Sequence, residues 1–221
     1  FNVLPILNKN NIKGIFFLCS SFYQNNEMLT VHKFHHIRSK INEKSFNKQF
    51  FEELKNIKFN YKDHIKAASK FYLYDNKRNA LMKYLINFVL NKKDTNNLIN
   101  MFAKKYNIDF NEIVDKLYLT IDQIKKIKSF GNIFGLHGHT HKKLNDFKKI
   151  NKEEIEINKT FLAKYNLNNE FNCFAYPYGR DIALPINLLK FSKINNLDYC
   201  FSMEKIINDN NYKKENIYRF S

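Results

Sequence analysis

Only five glycines and three prolines punctuate the 221 residues of this chain, and that scarcity sets the first limit on its fold. Tight hairpins and barrel corners draw on Gly and Pro for backbone conformations that other residues resist. A turn-rich all-β barrel is therefore excluded, and helices joined to a few short strands are expected. Hydrophobic residues at 44% and aromatics at 16% suffice for a packed core and exclude intrinsic disorder. A chain of this length fits one domain, or one domain carrying a large insertion. The longest apolar run, Ile15 to Cys19, has the size of a strand and falls far short of the roughly 18 residues of a membrane span, so no transmembrane segment is expected.

The formal charge of +16 raises the question of a nucleic-acid partner. The charge is nearly all lysine, spread along the chain, and arginine occurs only at Arg38, Arg78, Arg180 and Arg219. Base and phosphate recognition draws on arginine's planar fork, so no nucleic-acid partner is expected. Cys19, Cys173 and Cys200 each lie in an apolar, strand-like run and form no C-x-x-C pair. They read as reduced core residues, which favours a reducing, cytoplasmic compartment. The chain begins at Phe1 and not at Met, so it is expected to start within a longer protein, which keeps the cell envelope open as a location.

Hydrophobic spacing divides the chain into parts. Val3, Leu4 and Leu7 have helical spacing over Phe1 to Asn10, and a turn at Asn10 to Gly14 leads into a buried strand from Ile15. From about Asn25 to Leu119 the texture is polar and helical, as at Leu81, Tyr84, Leu85 and Val89, and this stretch reads as a helical insertion. Thr120 and Gln123 form a capping box that predicts a helix from Ile121 to near Gly131. Ile133 to Leu136 then reads as a strand. Asn151 with Glu154 marks another helix start, Phe171 to Ala175 a strand, Leu184 to Ile194 a helix, and Leu197 to Phe201 a strand. Strands alternating with helices predict parallel βα units.

Two clusters carry chemistry, each directly after a predicted strand. The first is His137-Gly138-His139-Thr140-His141, which holds three of the chain's seven histidines. Neutral imidazole is a common zinc ligand, and a loop leaving a strand end can aim His137 and His141 at one point. The second is Tyr176-Pro177-Tyr178-Gly179-Arg180. Pro and Gly fix an unusual backbone path there, one able to present the N–H of Tyr178 to a developing oxyanion while aromatic rings wall a groove that suits sugar faces. The other reading of these residues is a loop whose tyrosines simply cover the core. A third group, His32, His35 and His36, has no carboxylate or thiol beside it and reads as a polar helix surface.

Together these clusters resemble the polysaccharide deacetylase family, the NodB homology domain or carbohydrate esterase family 4. His137, His141 and Leu144 match its metal motif, with Gly138 where Ser or Thr is usual, and Tyr176-Pro177-Tyr178-Gly179 matches a variant of its aromatic-Pro-aromatic-Gly loop. Leu4 to Leu7 and Gly14 to Leu18 resemble the helix and strand that follow the family's opening motif. The resemblance spans residues 1 to about 24 and 120 to 205. It implies an α/β fold, a distorted and incomplete (β/α) barrel, here interrupted by a helical insertion at about 25–119.

The resemblance also implies metal-dependent removal of acetyl groups from an N-acetylated or O-acetylated sugar or polysaccharide. His137 and His141 would hold the metal, most simply zinc, Tyr178 would supply the oxyanion donor, and Tyr176, Pro177 and Tyr178 would line the substrate site. The family's Asp-Asp pair, source of the catalytic base and third ligand, would lie upstream of Phe1. Ala175 replaces an arginine common before the Pro loop, and a late Leu-x-His motif is not found before Ser221. Two other readings stand beside this one. A relative could keep the scaffold and bind glycan without catalysis. Gly138 to His141 also resembles the Gly-His-x-His motif of calcineurin-like metallophosphoesterases.

Overall fold

A computed structural model describes residues 3–144, 149–180, 183–203, 208 and 211–218, without the side chains of 149–152. Phe1 and Asn2, at the start of the first expected helix, lie outside the described residues. The chain forms two compact units, one of residues 1–27 with 115–221 and the other of 28–114.

In chain order the first unit opens with α1 (Val3–Lys9), β1 (Ile15–Leu18) and α2 (Ser21–Asn25). The second unit holds α3 (Thr30–Lys40), α4 (Glu43–Asn56), α5 (Ile65–Phe71), α6 (Lys77–Tyr84), a π-helical turn at Leu85–Val89, and α7 (Lys92–Lys105). The division between units falls within α8 (Asn111–Leu117). The first unit then resumes with α9 (Ile121–Ser129), β2 (Ile133–Leu136), α10 (Lys149–Lys164), β3 (Cys173–Ala175), α11 (Leu188–Ile194), β4 (Tyr199–Ser202) and β5 (Ile217–Tyr218).

The second unit is built from helices among the described residues. Asn42 caps α4 by accepting from the backbone N–H groups of Lys44 and Ser45. Its core gathers Ile37, Phe46, Phe50, Leu54, Leu85 and Phe102, with the Phe46 and Phe102 rings stacked at 4.6 Å.

In the first unit all five strands run parallel in the order β1-β2-β3-β4-β5. Spatial order that follows chain order is how a (β/α) barrel winds, whereas a doubly wound sheet reverses at a switch point. The α/β class and incomplete barrel expected from sequence are what the chain forms. The Thr120 capping box is present, with Thr120 Oγ1 accepting from Gln123 N and Gln123 Oε1 accepting from Thr120 N. Boundaries differ from the sequence reading at two strands, which run Cys173–Ala175 and Tyr199–Ser202, and at two helix starts. The helix expected from Leu184 starts at Leu188, because Pro185 disfavours helical backbone at Leu184 and Asn187 caps the first turn through Lys190 N. The helix expected at Asn151 starts earlier, at Lys149, and the Glu154 carboxylate reaches away from the helix end.

The core of this unit joins Ile124 and Ile127 of α9, Phe134 and Leu136 of β2, Ile155 and Phe161 of α10, and Phe174, Tyr176 and Phe191. Gly135 lies mid-strand because a Cβ there would sit 2.5 Å from the Phe17 ring and 3.1 Å from the Cys173 carbonyl oxygen. Overpacking of this kind costs about 1–3 kcal/mol. Gly135→Ala is expected to lower stability by about that amount in urea denaturation, and Phe17→Ala in the same chain should remove most of the penalty.

Cys173 and Cys200 are both buried in adjacent strands. Burial raises the Cys173 thiol to about 11 and the Cys200 thiol to about 12, from an ordinary 9.0. Between these limits the unfolded chain has released protons that the folded chain retains, so stability falls as pH rises. The urea midpoint is expected to decline from about pH 9 upward, at up to about 1.4 kcal/mol per pH unit for each thiol. Cys200→Ala should flatten that slope. A midpoint that holds steady up to about pH 10.5 would contradict the burial of both thiols.

Candidate active site

The chain leaves β2 at Leu136 and turns at Gly138, where φ is +78°. Glycine adopts that backbone without penalty, which accounts for its presence at this turn. His141 also lies in the left-handed region, at φ 60°, as does Tyr178, at φ 61°. Eight described non-glycine residues have positive φ, and five are asparagines, the side chain that tolerates this conformation best. Lys58 follows a helix end, which leaves His141 and Tyr178 as the two whose strain belongs to the loops of interest. Such strain persists where surrounding structure enforces it, and it clusters at functional sites.

The turns bring three rings into a row. The His137 and His141 rings meet edge to face, with centroids 4.8 Å apart and an interplanar angle of 79°. His141 meets the Tyr178 ring in the same way, at 4.8 Å and 76°. The His137 Nδ1 lies 2.7 Å from the Ala175 carbonyl oxygen. A carbonyl only accepts, so Nδ1 carries the proton of the neutral ring and Nε2 keeps its lone pair. Metal-bound histidines have this arrangement, one nitrogen donating to a fixed acceptor while the other ligates. The His137 ring is thus held as a ligating imidazole would be, with His141 beside it. Among the described residues no group of three or more His, Cys, Asp or Glu side chains is placed to hold an ion.

Neighbouring elements anchor the loop on every side. His137 N donates to Leu18 O of β1 at 3.2 Å and to Asn158 Oδ1 of α10 at 2.9 Å. Ser21 N donates to His139 O at 3.0 Å, Ser20 Oγ lies 3.0 Å from His139 Nδ1, and Cys19 Sγ donates to His137 O at 3.3 Å. Thr140 donates twice to Glu154, from its N–H to Oε2 at 2.6 Å and from its hydroxyl to Oε1 at 2.5 Å. Leu144 N donates to Ala183 O, just past the Pro loop. Burial holds His139 below its ordinary pKa, with Glu154 pulling it up and Lys142 pushing it down. His139 is thus engaged at the β1 corner, apart from the row of rings.

The Pro loop is shaped by its neighbours too. Gly179, at φ +54°, accepts from Met203 N at 2.7 Å, and a Cβ on it would lie 2.8 Å from that same nitrogen. Tyr178 stands half-buried above this contact. Tyr176 and Pro177 are both buried, as in the reading of this cluster as a loop whose tyrosines cover the core rather than as a groove wall. The Tyr176 ring packs in the core against Phe174 and Phe191, and its hydroxyl donates to Glu215 O at 2.9 Å. Alternation along the strand explains this: Phe174 and Tyr176 both face inward.

The trio in α3 differs as well. His36 is only 6% exposed and faces Phe110, so it belongs to the core of the second unit and not to a polar surface. Burial lowers the pKa of both His32 and His35. Sequence reasoning missed Glu154 and Asn158 as partners of the loop. The signal available was their spacing of four, which puts both on one face of a helix.

No curated protein sequence matches the chain. A solved structure similar to it is that of the Streptococcus pyogenes deacetylase PplD in complex with acetate, at 18% identity over 94% of this chain and 91% of that one, with a TM-score of 0.41. The model of a protein family described as polysaccharide deacetylase matches residues 75–197. The match starts inside the second unit and stops short of residues 1–24, where part of the resemblance was read. It takes in the His137–His141 loop and the Tyr-Pro-Tyr-Gly turn, and nothing in it favours a metallophosphoesterase. Spanning more than half of the sequence, it shows that the chain belongs to the polysaccharide deacetylase family.

Proposed function

We propose that the protein is a metal-dependent hydrolase that removes acetyl groups from an N-acetylated or O-acetylated sugar or polysaccharide. The observation that carries this reading is the edge-to-face pair of His137 and His141, with the His137 ring fixed through Nδ1 on Ala175 O.

His137 and His141 would hold the ion, together with a carboxylate of the family's Asp-Asp pair. When bound, a divalent ion, zinc by the nitrogen character of its donors, supplies an activated water and polarises the acetyl carbonyl. Ala175 O fixes the His137 ring, so the donor nitrogen is oriented before any ligand arrives. The Tyr178 N–H donates to the oxyanion that forms as water adds to the acetyl carbon. The Tyr178 ring, next to His141, packs against a sugar face at the rim. The acetyl C–N or C–O bond then breaks, acetate departs, and the sugar nitrogen or oxygen takes a proton. The second Asp of the pair would act as base in this scheme, and a histidine from the family's late motif as acid.

The test is metal content together with acetate release. The protein is expected to hold on the order of one zinc per chain, and His137→Ala and His141→Ala each to lower that occupancy by about tenfold or more. Acetate release from acetylated chitin oligomers or acetylated xylan should fall with it. Zinc retained in both variants would overturn the site. Glycan binding with neither zinc nor acetate release would favour a scaffold that binds without catalysis.

A further inference from the structure

The five residues from His137 to His141 cannot stabilise their own path, since positive φ at Gly138 and His141 interrupts any regular pairing of their backbone. Support comes from one face of α10. Its buried stripe is Glu154, Ile155, Asn158, Phe161 and Leu162, the spacing of a helix packed against a core. Two of those five positions carry polar side chains where apolar ones would complete the packing. Glu154 is 5% exposed and Asn158 is not exposed at all. A buried carboxylate or amide costs free energy unless it is hydrogen-bonded, and the bonds of both go to the loop.

We infer that Glu154 and Asn158 are the positioning residues of the candidate metal pair, gripping the loop at the His137 backbone and at the residue before His141. Asn158 Oδ1 accepts from His137 N, and Glu154 accepts from both donors of Thr140, the residue before His141. A carboxylate suits the second task because two donors converge on it and each finds its own oxygen. Lys142, 3.6 Å from Oε1 and more than half exposed, adds little to a pair of this kind. Asn158 holds its place at a cost to stability: its Nδ2 is buried without a hydrogen-bond partner among the described residues. A leucine would fill the same stripe with no such penalty. The geometry thus separates two roles, since the substitution that favours the fold is the one that removes the α10 hold on His137 and leaves its N–H to Leu18 O alone.

This inference rests on reading His137 and His141 as ligands, and its test keeps the two apart. Zinc affinity by competition with a chromophoric chelator, and the metal-free Tm, are measured for the parent, Glu154→Ala, Glu154→Gln and Asn158→Leu. Glu154→Ala is expected to weaken zinc binding by about 10- to 100-fold. Glu154→Gln, which can still accept from Thr140 N and donate to its hydroxyl, should stay within about threefold of the parent. Asn158→Leu should weaken binding by about tenfold while its Tm holds or rises, a split that a merely structural role would not produce. Parental zinc affinity in both Glu154→Ala and Asn158→Leu would overturn the inference, as would losses that follow Tm. If the parent binds no zinc, the ligand reading fails, and positioning is read from hydrogen exchange. Protection of the His137 and Thr140 amides should then drop by about tenfold or more in the respective variants, and unchanged protection would overturn the inference.

Discussion

A peptide group cannot be buried without a partner, and the segment that follows β2 is where this fold meets that requirement most acutely. The backbone there departs from the sheet, turns through a glycine at φ +78°, and has to find acceptors and donors on other elements. It finds them on three sides: Leu18 and Ser21 beside β1, Glu154 and Asn158 on α10, and Ala183 beyond the Pro loop. Each partner satisfies a buried group and at the same time fixes a direction. The orientation of His137 and His141 is a by-product of that satisfaction, so the metal reading rests on backbone chemistry before it rests on the histidines themselves.

The second loop meets the same requirement by close approach. Gly179 lies against the backbone of Met203 at the end of β4, closely enough to leave no room for a side chain. Tyr178 is held in a left-handed conformation beside it, and its ring completes the row that begins at His137. Two adjacent parallel strands, β2 and β3, end in these loops, which places both at the carboxyl edge of the sheet, where open α/β and barrel folds gather their sites. The sequential strand order makes that edge continuous across the sheet.

What was legible in the sequence was local. The Thr120 capping box fixes the start of α9 from two residues three apart, and β2 shows as a short apolar run bounded by Gly131 and the histidines. The motif residues can be named because their spacing survives without any structure. Long-range information was not legible. Glu154 reads as the partner of a helix cap until the fold brings Thr140 to it, and Tyr176 reads as a groove wall until strand alternation turns it inward. His36 looks polar in sequence and is buried against Phe110. The short strand β5 offers only two residues, Ile217 and Tyr218, too few to show a period. Glu154 and His36 each have a partner far away along the chain, which spacing alone cannot supply.

The central claim is that His137 and His141 share one ion through nitrogens whose orientation the fold has already set. Anomalous diffraction at the zinc absorption edge, from crystals grown with zinc, tests it most directly. The account predicts a single strong peak about 2.0–2.1 Å from Nε2 of His137 and bonded also to the His141 ring, with His137 Nδ1 still on Ala175 O. A peak on Nδ1 of His137, or zinc bound elsewhere with none at this pair, would contradict it.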